Sequence, residues 1–123
     1  RLTAQDALEQ DIARVARMAA ARAPLVVIMP PGNVGNAPFF FAPLSWLMTH
    51  RSQSLHRLVS QAAAASGAVY VNLYHDKAHD PFAQRPDELN APDGLHPSDA
   101  GYRLWYDALN IQAALSSRLA GTP

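Results

Sequence analysis

Leu25-Val26-Val27-Ile28-Met29, set between Pro24 and the run Pro30-Pro31-Gly32, decides the fold. It is short, rich in β-branched residues and apolar on both faces, which reads as a strand buried in a parallel sheet. Upstream, Leu8, Ile12, Val15 and Ala19 follow at helical spacing behind a capping-box start at Thr3 and Asp6, and Pro24 ends the pattern. Downstream, Leu55, Leu58, Val59, Ala62 and Ala63 make the apolar stripe of a helix from about Arg51 to Ser66, with Gly67 to close it. Ala68 to Tyr74 is a second strand. A last helix opens at Ser98 or Asp99, carries Leu104, Ala108, Ile111, Leu115 and Leu119 on its core face, and stops at Gly121. The order helix, strand, helix, strand, helix implies an α/β fold with a parallel sheet.

That sheet is too small for its strands. A strand apolar on both faces needs a hydrogen-bonding neighbour on each side, and this chain offers one. The expectation is that residues 1–123 are the later part of a larger single domain. The missing strands would come from a segment before Arg1 or from a companion chain.

Composition narrows the function. Apolar residues make 49% of the chain and charged residues 16%, as in globular proteins. Ten basic and ten acidic residues cancel, so the overall charge leaves no electrostatic footprint for nucleic acid or for an anionic membrane. The absence of cysteine excludes disulfides, a thiolate zinc site and a cysteine nucleophile, and leaves the compartment undecided. The longest apolar runs, from Ala23 to Pro31 and from Ala37 to Leu44, are far short of a transmembrane segment.

Two Asp-x-x-His spacings carry the possible chemistry. Asp93-Gly94-Leu95-His96 follows Asn90-Ala91-Pro92 and precedes Pro97 and a helix start, a turn able to fold carboxylate and imidazole together at the rim of the sheet. The carboxylate can accept from Nδ1–H and leave Nε2 to take a proton. A helix-entry histidine that merely bonds Asp93 fits the same spacing equally well. Asp76-Lys77-Ala78-His79 is followed by Asp80-Pro81, without a helix start in this reading, and His79 is taken as a surface histidine. His50 and His56 are expected to be solvated. A metal cluster drawn from His75, Asp76, His79, Asp80, Asp93 and His96 lacks the helical His-x-x-x-His spacing of zinc proteases. The long Pro30–Arg51 connection leaves the carboxyl end of the first strand, where open α/β sheets bind ligands. Its Phe39, Phe40, Phe41 and Trp46 either plug the core or wall a substrate pocket.

The block from Asp93 to Tyr102, Asp-Gly-Leu-His-Pro-Ser-Asp-Ala-Gly-Tyr, resembles the last sequence block of the SGNH/GDSL hydrolases. Those are serine esterases and lipases on a flavodoxin-like three-layer α/β/α fold. Val26 to Pro31 is similar to that family's fourth strand and its turn. Arg51 to Tyr74 is similar to the next helix and fifth strand, and Leu2-Thr3 to the segment after its Gly-x-Asn block. The resemblance implies that His96 is the general base, that Asp93 orients it, and that no metal or organic cofactor takes part. It implies a small-molecule acyl ester as substrate, held by Phe39, Phe40, Phe41, Trp46 and Leu95. The family's Gly-Asp-Ser block and oxyanion-hole residues have no counterpart in this sequence. The nucleophilic serine must therefore be delivered by another segment, and this chain alone should be inactive. The competing readings are a non-catalytic flavodoxin-like binding or regulatory module and a metal-dependent hydrolase.

Overall fold

The structure, a computed structural model, describes residues 3–120. Helix α1 (Ala4–Ala20) opens on the expected reciprocal cap: the Thr3 hydroxyl accepts from the Asp6 N–H at 3.1 Å, and the Asp6 carboxylate accepts from the Thr3 N–H at 3.0 Å. The helix lies along α2 (Leu44–Ser66) through small residues, burying Ala16 and half-burying Ile12 and Ala19. Leu8, Val15 and Met18 instead face outward, so the expected stripe is rotated toward the alanines.

α2 reaches further back than the expected Arg51–Ser66 helix, into the connection that precedes it. Nothing between Pro43 and Gly67 breaks a helix, so the turn at Leu44–Met48 runs straight into Arg51–Ser66. Gly67 then ends it at φ 77°, a left-handed conformation that suits a residue without Cβ.

Strands β1 (Val27–Ile28) and β2 (Val69–Tyr70) pair in parallel, with Val27 opposite Val69 and Ile28 opposite Tyr70. Val69 N–H donates to the Val26 carbonyl at 2.8 Å and Val71 N–H to the Ile28 carbonyl at 3.0 Å. Among the described residues β1 has no neighbour on its other side, and the ladder spans fewer residues than the apolar run predicts. Val71 and Leu73 are buried with Ala113 in a core joined by Val27, Met29, Val69, Trp105, Ala108 and Leu109. Past β2, the Gln112 amide takes over the backbone: Asn72 N–H donates to Gln112 Oε1 at 2.7 Å, and Gln112 Nε2 donates to the Asn72 carbonyl at 2.8 Å.

Two short helices, α3 (Pro81–Gln84) and α4 (Pro86–Leu89), precede α5 (Asp99–Ala113), which Ser98 caps through the Gly101 N–H at 3.2 Å. The expected single last helix is broken. Ala114, at φ 48°, is left-handed and starts a separate α6 (Leu115–Ala120). Ile111 and Leu119 stand in solvent, while Gly101 and Ala113 are buried. Gly121, the expected stop, and Leu2 lie outside the described residues. No helix among the described residues is long and apolar enough to cross a membrane.

His56 corrects the expectation of a solvated side chain. It is buried between α2 and β2, with Nε2 bonded to the Pro31 carbonyl at 2.6 Å and Nδ1 to the Tyr70 hydroxyl. An imidazole that donates to a carbonyl through Nε2 accepts at Nδ1 from the hydroxyl, which is the neutral tautomer. Burial pushes its pKa below the ordinary 6.5, outweighing the opposing bond to Pro31. The unfolded chain therefore binds this proton more readily, and stability falls as pH drops below about 6.5. Thermal melts from about pH 7 to about pH 5 should show the melting temperature falling by a few degrees, with the His56 part of that slope missing in His56→Gln. An unchanged slope in the variant would contradict the assignment.

Candidate active site

The loop from Asn90 to Pro97 is over-determined by its own sequence. Buried Asn90 donates through Nδ2 to the carbonyls of Phe82 (3.2 Å) and Pro86 (3.1 Å), fixing the exit from α4. The loop closes on itself through Ala91 N–H to the His96 carbonyl at 2.8 Å and Gly94 N–H to the Ala91 carbonyl at 2.9 Å. Gly94, at φ 70°, turns the corner in a region open to glycine. Inside that corner Asp93 Oδ1 accepts from the N–H groups of Leu95 (2.9 Å) and His96 (3.0 Å), while Oδ2 meets His96 Nδ1 at 2.5 Å. The short side chain of Asp93 thus shapes the turn with one oxygen and holds the ring with the other.

The His96 imidazole first, and then the N–H groups of His96 and Leu95, lower the Asp93 carboxyl to about 2, so it stays ionised across the neutral range. The His96 and Asp93 side chains are 65% and 50% exposed. His96 Nε2 has no hydrogen-bond partner among the described residues. His96 lines a cavity of about 290 Å³, whose wall also includes Val34, Leu73, Phe82, Leu95, Tyr102 and Trp105. That is near the lower end of small-molecule sites, which run from roughly 300 Å³ upward.

Sequence reasoning missed the polar part of this cavity. Asn33, Asp80 and Asn90 line it and are all buried. Asp80 accepts from Asn36 Nδ2 at 2.7 Å and from the Phe82 N–H at 3.0 Å, capping α3 with Pro81 behind it. The Asp-Pro pair is an N-cap followed by a first-turn proline, so the helix start that was read as absent after His79 was legible.

Phe39, Phe40, Phe41 and Trp46 are not part of the cavity's lining, although Leu95 and His96 are. Val34–Asn36 forms a tight turn held by Ser52 Oγ on the Val34 N–H at 3.2 Å, so the cavity receives the residues before the phenylalanines. The aromatic segment passes on the outside of Gly94, where Phe39 N–H donates to the Gly94 carbonyl at 2.9 Å.

The second pair repeats the geometry in another setting. His79 Nδ1 meets Asp76 Oδ1 at 2.7 Å, the imidazole holds the Asp76 carboxyl below its ordinary value, and His79 is 78% exposed away from the cavity. Among the described residues no three histidine or acidic side chains gather to hold a metal ion. Ser98, two residues from His96, spends its hydroxyl on the Glu88 carbonyl at 2.6 Å and on the Gly101 N–H.

Residues 1–104 match the model of the GDSL-like Lipase/Acylhydrolase family. Comparison with curated proteins gives no match. Among solved structures the chain is similar to LAE5, an alpha/beta hydrolase enzyme from the metagenome of Lake Arreo, Spain. The TM-score is 0.65 at 20% identity over 93% of this chain and 49% of that one, so this chain spans about half the length of the structure it matches. A likeness at that identity is one of fold.

Proposed function

The chain belongs to the GDSL-like lipase/acylhydrolase family, and from that premise we propose that it supplies the general base and its orienting acid to a serine ester hydrolase. The observation that carries the reading is the His96 ring, fastened to Asp93 through Nδ1, with His96 lining a largely apolar-walled cavity and its Nε2 without a partner among the described residues. In the assembled enzyme a serine Oγ attacks the ester carbonyl and its proton passes to His96 Nε2. The tetrahedral intermediate collapses as His96 returns that proton to the departing alcohol. Water then repeats the sequence on the acyl-enzyme, and Asp93 stabilises the imidazolium each time. The nucleophile and the oxyanion donors lie outside these residues, on a preceding segment or a companion chain that also completes a flavodoxin-like three-layer sheet. The outward stripe of Leu8, Val15 and Met18 and the one-sided pairing of β1 support such a completion.

A non-catalytic module is the second reading, favoured by the structural use that the turn makes of Asp93 Oδ1. A fluorophosphonate probe separates the two. The 123-residue chain should remain unlabelled, and labelling should appear on a serine elsewhere once the preceding polypeptide is present. A label on Ser98, or none in the longer protein, would overturn the hydrolase reading.

A further inference from the structure

Five large apolar side chains within nine positions stand in solvent: Phe39 (57% exposed), Phe41 (79%), Leu44 (47%), Trp46 (71%) and Leu47 (46%). Phe40 packs edge-on against Phe39, with ring centroids 5.1 Å apart. The sequence around this ledge has no charged residue from Ala23 to Thr49. Beyond it the charge has one sign: between Asp11 and Asp76 there is no acidic residue, while Arg14, Arg17, Arg22, Arg51 and Arg57 fall in that span with His50. Arg51 and Arg57 are exposed on α2 and make no ion pair among the described residues. At about 100° per residue, Trp46, His50 and Arg57 project within roughly 40° of one another, on the side of the helix away from buried Leu58, Val59 and Ala62.

An uncharged aromatic tip sharing a helix face with an unpaired arginine is the pattern of a surface that seats its rings at the headgroup boundary and its cation on anionic phosphates. We propose that the Phe39–Leu47 ledge docks this chain onto an anionic lipid surface. The ledge is tied to the candidate site, since Phe39 N–H bonds the Gly94 carbonyl in the turn that carries His96. Docking would therefore bring the cavity to the acyl chains of the surface. Only that last step rests on the hydrolase reading; binding does not, and His96→Ala should leave it unchanged.

The test is co-sedimentation of the 123-residue chain with vesicles of equimolar phosphatidylcholine and phosphatidylglycerol, and with phosphatidylcholine alone. Partition should favour the anionic vesicles. It should fall roughly tenfold or more in Phe41→Ser/Trp46→Ser. It should fall roughly fivefold in Arg57→Ser. Ile111→Ser, which removes an equally exposed side chain from α5, should bind as before. Failure to bind anionic vesicles, or an equal loss in Ile111→Ser, overturns the proposal. So does a dimer that Phe41→Ser/Trp46→Ser dissociates while vesicle binding is absent, because a second copy would then cover the ledge. If the aromatic double variant does not fold, brominated acyl chains decide: they should quench tryptophan emission in the unsubstituted chain and in Trp105→Phe, and no quenching in either refutes docking.

Discussion

Replacing His96 with alanine in the complete enzyme should lower ester hydrolysis by roughly four to six orders of magnitude, the scale set by removing the base from a serine triad. Without Nε2 the serine proton has no acceptor and the leaving alcohol no donor, so both halves of the reaction lose the same group. Asp93→Asn should cost roughly 10⁴, because an amide can present its N–H to Nδ1 and reverse the tautomer. His79→Ala should change the rate by no more than about twofold. The comparison is sharp because the His79 and His96 pairs are both three residues apart, both close to Asp and both exposed. They differ in what lies beyond the ring: His96 lines the cavity and His79 does not. Equal losses from the two alanine variants, with circular dichroism unchanged, would remove His96 from the mechanism.

Gly101→Ala should destabilise the fold by about 3 kcal/mol, measured by denaturant titration. On helix propensity alone the same change should stabilise α5 by about 1 kcal/mol, so the sign is diagnostic. A Cβ at position 101 would stand 2.3 Å from the Leu89 carbonyl oxygen, 2.8 Å from Phe82 Cε1 and 2.9 Å from Pro97 Cβ. The backbone oxygen cannot step aside cheaply, since it accepts the Ser98 N–H at 2.9 Å and so joins α4 to the cap of α5. Whatever moves will carry Pro97 and the His96 turn with it. A variant as stable as the parent would show that α5 can withdraw from α4 without cost.

Local chemistry was the legible part of this sequence. Thr3 with Asp6, Gly67, Ser98 and the Asp93-Gly94 turn each act within a few residues, and each holds in the structure as its residue type dictates. What sequence could not place depends on partners far along the chain. His56 sits at the margin of the Leu55–Ala63 stripe, and only the Tyr70 hydroxyl and the Pro31 carbonyl, brought together by the parallel pairing, make its burial tolerable. The aromatic run from Phe39 was legible as unusual but not as exposed, because the turn that diverts it is held by Ser52 and Asn36 across long loops. Ala114 shows the limit from the other side, since no periodicity announces an alanine in a left-handed conformation.

The Gln112 amide on Asn72 has a directional consequence. Val69 and Val71 turn their N–H groups toward β1, and successive residues of an extended chain alternate, so Asn72 presents its amide on the opposite border. There the Gln112 carboxamide already occupies both donor and acceptor, as an added strand would. At Asn72, a side chain thus shuts the outer border to recruitment, while among the described residues no strand lies on the far side of β1. Polypeptide arriving to enlarge the sheet is steered to enter beside Val27 and Ile28.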